Sequence, residues 1–304
     1  MLLKYAIGDF IQEKQFNNLS NYTITTYRRN LTEFQNYCLN EKVINVNDIT
    51  RVLVKSYLNY VREEKNNKVS TLNNKIRSLK SFFNFLIDEE ILEIDNPMKK
   101  IKQVKEEINI PIPTEEQITK IIRYYERYTR KSPFVGIRNR HIIITLISVG
   151  IRRSELATLK WSNVNFIQNT ISVFGKKRKL VSSPMSNKLK NEMAAYKVFC
   201  EQYFGKLPEY VFCTNKGKQM SIEGITTIFK RLAKIMDFDT RLSAHSFRHV
   251  FTKQALQSGL DVASLKAMLH HENSAMVFRY ANMWGTALHE LNEKHNPLNN
   301  FDID

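Results

Sequence analysis

A charged run closed by two prolines divides this 304-residue sequence in two. Lys99-Lys100-Ile101-Lys102-Gln103-Val104-Lys105-Glu106-Glu107 offers little to bury, and Pro111 and Pro113 lie just beyond it. Proline lacks an amide hydrogen and clashes with the preceding helical turn, so no helix is expected to continue through this stretch. Residues 1–99 and 114–304 are therefore expected to fold as two domains joined by a linker at 100–113. The length agrees, at roughly 150 residues per domain.

Apolar periodicity before the break is helical. Ser20 is placed to cap a helix carrying Ile24, Tyr27, Leu31, Phe34 and Cys38 at i, i+3/i+4 spacing. Val54, Leu58 and Val61 mark another helix, and the segment around Tyr5–Phe16 a further one. Leu72, Ile76, Leu79, Phe83 and Leu86 mark a fourth, with Asn96-Pro97 as its expected stop. After the break, Thr114-Glu-Glu-Gln117 has the form of a capping box ahead of Ile118, Ile121 and Ile122. A strongly apolar helix is expected to end at Gly150. Alternation in Thr170-Ile171-Ser172-Val173-Phe174 predicts a strand entering a hairpin, and helical patterning resumes from Ile222.

The charge is uneven. Residues 1–110 hold 17 Lys and Arg against 14 Asp and Glu, whereas residues 111–304 hold 29 against 16. A net charge of +16 favours a polyanionic partner, nucleic acid ahead of membrane. The longest apolar stretch, Ile142 to Ile151, falls well short of the ~20 residues a membrane span needs. Lys4 and Asp9 interrupt any secretory core at the start. Cys38, Cys200 and Cys213 are too scattered for a disulfide framework or a cysteine zinc site. A soluble intracellular protein is expected.

Four patches could carry chemistry: Gly150-Ile151-Arg152-Arg153-Ser154-Glu155-Leu156; Gly175-Lys176-Lys177-Arg178-Lys179; Ala244-His245-Ser246-Phe247-Arg248-His249; and Leu269-His270-His271 with Arg279-Tyr280-Ala281. Singly, each has an ordinary reading. A lone Arg152 fits a surface or helix-cap role, and a Lys-rich run fits a solvated turn. His245 and His249 fit two metal ligands or a pair on one helix face, and Tyr280 fits a packing residue among 13 tyrosines.

Together they supply what phosphoryl transfer without a metal requires. Negative charge builds on the non-bridging oxygens of the transition state, and two arginines offer planar, permanently charged donors to them. A tyrosine hydroxyl can attack phosphorus once cations favour its phenolate, against a reference pKa near 10. A lysine can protonate the leaving oxygen, and histidines can donate to the phosphate or shuttle a proton.

On these residues the chain resembles the tyrosine recombinase, or phage integrase, family. The resemblance rests on Gly-Ile-Arg-Arg-Ser-Glu-Leu at 150–156, Ala-His-Ser-Phe-Arg-His at 244–249 and Leu-His-His…Arg-Tyr-Ala at 269–281. It implies a mainly α protein with the DNA breaking-rejoining enzyme fold. A four-helix, SAM-like core-binding domain would span 1–99, and a mixed α/β catalytic domain with a small antiparallel sheet would span 114–304.

The family's catalytic set then falls on Arg152, Lys176, His245, Arg248, His271 and, as nucleophile, Tyr280, with Glu155 as supporting acid. The family usually has Gly where this chain has His270, which leaves His270 a competitor of His271 for the phosphate. Lys177 and Lys179 likewise compete with Lys176 as general acid. DNA contacts fall on Arg153, Lys177, Arg178 and Lys179.

The implied reaction is site-specific recombination through a 3′-phosphotyrosyl intermediate and a Holliday junction, with no metal, ATP or other cofactor. The implied partners are double-stranded DNA recombination sites. A homo-tetramer would assemble on two of them, from a monomer or weak oligomer when free, and an accessory DNA-bending or directionality protein is compatible with the reaction. The C-terminal tail, residues 281–304, would dock on a neighbouring protomer or fold back on its own domain. A cytoplasmic, nucleoid-associated location follows, without membrane contact.

Three rivals differ in what they require. A metal-dependent hydrolase using His245 and His249 lacks the Glu after its first His that a zinc-protease helix needs, since Ser246 stands there. A non-catalytic DNA-binding regulator on the same fold predicts missing catalytic residues. A type IB topoisomerase would relax supercoils as a monomer without paired sites.

Overall fold

A computed structural model describes residues 1–105, 111–174 and 180–269. The chain divides into two compact units, Met1–Ile108 and Asn109–Asp304.

The first unit holds four helices: α1 (Leu3–Phe16), α2 (Asn21–Asn40), α3 (Arg51–Glu63) and α4 (Val69–Asp88). Ser20 caps α2, its Oγ accepting from the Thr23 N–H at 3.2 Å, and Thr50 caps α3 in the same way through Leu53. Ile24, Leu31, Phe34 and Cys38 are buried on one face of α2. The core is aromatic. Phe10 meets Tyr27 and Phe82 edge-on, and Phe34 meets Tyr57, with centroids 5.0–5.6 Å apart. Inside this packing Lys75 of α4 pairs with Glu33 of α2, and Asn30 donates to Ser78 at 2.9 Å, which fixes how the two helices meet.

One local expectation needs correction. α4 does not reach Asn96-Pro97. It ends at Asp88, where Glu90 takes a left-handed φ of 57° and the Ile91 N–H turns back to the Leu86 carbonyl. Asp88, Glu89 and Glu90 bring three carboxylates to the negative end of a helix, an unfavourable place to extend it. The start of the stretch read as linker packs on the first unit. Ile101 is buried, and the Asn73 side chain exchanges hydrogen bonds of 2.9 and 2.8 Å with the Val104 backbone.

The second unit opens with α5 (Glu115–Tyr128), headed by the reciprocal Thr114–Gln117 capping box, with bonds of 3.2 and 3.0 Å. α6 (Pro133–Val149) is apolar on nearly every side and runs through the core. It stops at Gly150, whose φ of 63° is left-handed. A Cβ there would lie 2.4 Å from Cδ1 of Phe251, so both conformation and space require glycine. α7 (Arg153–Thr158) follows at once.

Strands β1 (Val164–Asn165), β2 (Thr170–Phe174) and β3 (Leu180–Pro184) form an antiparallel sheet in the order β1-β2-β3. Ile171 pairs with Ser183 and Val173 with Val181, so Ile171 and Val173 turn inward as the alternation requires.

α8 (Asn187–Phe204) has no counterpart among the expected elements. Leu189, Met193, Tyr196 and Cys200 form its buried stripe. Arg140 of α6 grips Glu192 of α8 through two bonds of 2.6 and 2.9 Å. α9 (Ile222–Met236), α10 (Ala244–Gln257) and α11 (Val262–Met268) complete the unit, with α10 packed along α6. No helix among the described residues is long and apolar enough to cross a membrane.

Candidate active site

Three turns of chain meet at one pocket. The left-handed Gly150 ends α6 and directs the chain so that Arg152 becomes the cap residue of α7. Glu155, buried at 5% exposure, holds Arg152 from two sides. Its Oε2 accepts from the Arg152 backbone N–H at 2.6 Å, and its Oε1 accepts from Nη1 at 2.7 Å. The carboxylate thus orients the guanidinium while leaving it a third exposed. That is the arrangement needed if Arg152 is to meet a ligand rather than bury itself.

α10 supplies the opposite wall. Ser243 caps it reciprocally with Ser246: the Ser246 N–H reaches Ser243 Oγ at 3.1 Å, and the Ser243 N–H reaches Ser246 Oγ at 2.8 Å. One turn along, Arg248 is 5% exposed. It donates through Nη1 to the Gly150 carbonyl and through Nη2 to the Leu269 carbonyl at 2.7 Å. Arg248 therefore fastens the end of α6 to the chain that leaves α11.

Arg152, Arg153, Arg241, Ser243, His245 and Arg248 line a pocket of about 470 Å³. It collects four guanidinium groups at the positive end of the 14-residue helix α10. Such a pocket favours an anion, and a planar guanidinium fits two phosphate oxygens at once. His245 reaches solvent at the pocket surface. Partial desolvation lowers its pKa, followed by the charges of Arg248, Arg152 and Arg241, so the ring favours its neutral form. A neutral imidazole is ready to accept a proton.

His249 is buried, and its ring meets that of His245 edge-on at 4.2 Å. Burial, then His245 and Arg248, push its pKa down to about 4. The pair read from spacing as two metal ligands or one helix face is, in the fold, a packed pair. Among the described residues no group of three His, Cys, Asp or Glu side chains is placed to hold a metal ion.

The structure thus brings Arg152, Arg153, Glu155, His245 and Arg248 to one place. Lys176, Lys177, Arg178, Lys179, His270, His271, Tyr280 and the tail 281–304 lie outside the described residues. Arg241 and Ser243 escaped the sequence reading. Ser243 caps through Ser246 rather than the Glu or Gln that marks a capping box, and nothing in the sequence around Arg241 points to a pocket.

The profile of the phage integrase family matches residues 111–284, and that of its N-terminal SAM-like domain matches residues 12–90. The chain is 24% identical over 302 residues to the tyrosine recombinase XerD of Oceanobacillus iheyensis, covering 97% of this chain and 99% of that one. It is 26% identical over 291 residues to the tyrosine recombinase XerC of Halalkalibacterium halodurans, covering 93% and 94%. Among solved structures, the integrase of transposon Tn1549 in complex with transposon right end DNA superposes with a TM-score of 0.79 at 18% identity, covering 97% and 99%. A lambda integrase tetramer bound to a Holliday junction gives 0.74 at 15%, covering 92% and 77%. At these identities the structural likenesses establish the fold.

Proposed function

The chain belongs to the phage integrase family of tyrosine recombinases, and on that premise we propose that it cleaves and rejoins DNA at specific sites through a covalent tyrosyl intermediate. The observation that carries this reading is the convergence of Arg152, Arg248 and His245 on one anion-favouring pocket, from segments far apart in the chain.

In the proposed reaction the scissile phosphate sits between Arg152 and Arg248, whose guanidinium groups neutralise its non-bridging oxygens. The Tyr280 hydroxyl attacks phosphorus, and its proton passes to a neutral histidine, His245 being held in that state by its neighbours. The bond from phosphorus to the 5′-oxygen breaks, the 5′-hydroxyl leaves with a proton from Lys176, and a 3′-phosphotyrosine remains. Attack by the 5′-hydroxyl of a partner strand reverses these steps and frees Tyr280. The ester conserves the bond energy, so neither ATP nor a metal enters. His271, with His270 as its rival, adds a donor to the phosphate, and Glu155 keeps Arg152 aimed.

Four copies would act on two DNA sites, with residues 281–304 reaching a neighbouring copy. The basic stretch Lys176–Lys179 and Arg153 would track the backbone, and residues 1–99 would grip the duplex from the other side. Such a protein works where chromosomal DNA lies. The test is a duplex nicked near the cut so that the short piece carrying the freed 5′-hydroxyl diffuses away: a denaturing gel should show a protein-bearing DNA band, and its absence would overturn the reading.

A further inference from the structure

We propose that Arg241 is a third phosphate-gripping guanidinium of this site, taking the backbone phosphate next to the scissile one; the inference rests on the recombinase reading above. Arg241 lies between the left-handed Asp237 that ends α9 and the Ser243 that caps α10. It is exposed, and among the described residues its guanidinium has no ion-pair or hydrogen-bond partner.

Two pockets adjoin at this residue. The first is the one holding Arg152, His245 and Arg248. The second, of about 480 Å³, is lined by Arg153, Lys230, Thr226 and Asp239 among others, and shares Arg153, Arg241, Ser243 and Ala244 with the first. Three cations against one carboxylate leave the second pocket positive, yet no step of strand transfer uses it. A DNA strand is a continuous polyanion, so seating one phosphate in the first pocket carries its neighbour onto the adjoining wall. Arg153 on that wall already donates to Thr226 Oγ1 at 2.7 Å. Arg241 is the cation on the shared wall with its donors uncommitted among the described residues.

The same placement gives Arg241 a second effect. His245 faces Arg248, Arg152 with its Glu155 partner, Arg241 and the ring of His249, and the Arg241 charge is one of those that disfavour its protonation.

The experiment uses the full chain and its nicked cognate duplex. Binding is measured against salt concentration, and covalent adduct formation against pH, for the parent, Arg241→Gln and Arg241→Lys. With Gln, the slope of log affinity against log salt should fall by about 0.9, one phosphate contact fewer. The acid limb of adduct formation should also move to higher pH, because His245 beside one cation fewer takes up a proton more readily. Lys should keep the salt slope. An unchanged slope and acid limb with Gln, or a slope lost equally with Lys, overturns the proposal. If the parent forms no adduct at all, the recombinase reading has failed, and Arg241 is not the cause.

Discussion

Arg248 donates to the backbone carbonyl of Gly150, a residue that lies 98 positions earlier and ends the core helix α6. One guanidinium thereby sets the spacing between the turn that presents Arg152 and the helix that presents His245. The two arginines are built differently. Arg152 is aimed outward by a buried carboxylate, while Arg248 is itself buried and spends donors on carbonyls.

Replacing either arginine with alanine should slow adduct formation by about 10²–10³-fold, or ~3–4 kcal/mol of transition-state stabilisation. Arg152→Ala should lower the melting temperature, because the buried Glu155 carboxylate keeps the backbone N–H but loses its charged partner. Arg248→Ala should also lower the melting temperature, because the Gly150 and Leu269 carbonyls lose their donor. Single-turnover cleavage and a thermal melt read the two effects separately. A melting temperature unchanged from the parent's in either variant would refute the structural half of this prediction.

Tyr280→Phe should bind the cognate duplex with parental affinity and yield no protein-bearing band on a denaturing gel. In the proposed reaction the hydroxyl is the attacking atom, and the substitution removes that oxygen alone. An adduct formed by this variant places the nucleophile elsewhere.

Gly150→Ala should cost at least about 2 kcal/mol of stability, from the left-handed φ and the clash with Phe251 together. Adding Phe251→Leu should recover the part due to the clash and leave the part due to φ. Chemical denaturation of the single and double variants measures both. No recovery at all would mean that the Phe251 ring moves aside without strain.

Acid should weaken the second unit through His249. Its pKa in the fold is about 4, against 6.5 for an unperturbed histidine. Between those values the unfolded chain binds a proton that the folded chain refuses, so stability is complete above about pH 6.5 and falls as the pH drops toward 4. His141, buried against Tyr196, contributes in the same direction. His249→Gln should flatten this dependence, as read by urea midpoints at pH 7 and pH 4.5. A slope identical to the parent's would remove His249 as a cause.

Much of the local structure was legible because its causes are local. The Ser20 cap, the Thr114–Gln117 box, the Gly150 stop and the alternation of β2 depend on a few neighbouring residues, and each forms as read. The end of α4 was misread because proline is a louder signal than three carboxylates at a helix terminus. α8 was missed although its stripe recurs at helical spacing, because lysines and glutamates separate the apolar positions.

The sequence by itself determined which residue types could do this chemistry and in what order they come. Arg152, His245 and Arg248 were named through the motifs that carry the resemblance to the tyrosine recombinases. Only the tertiary structure decided that they share a pocket, that Glu155 aims one arginine while backbone carbonyls hold the other, and that Arg241 stands beside them. Periodicity and capping act within a turn or two of chain. Convergence of distant segments, and the fields that set the protonation of His245 and His249, arise from packing α10 against α6, which joins groups that no local pattern relates.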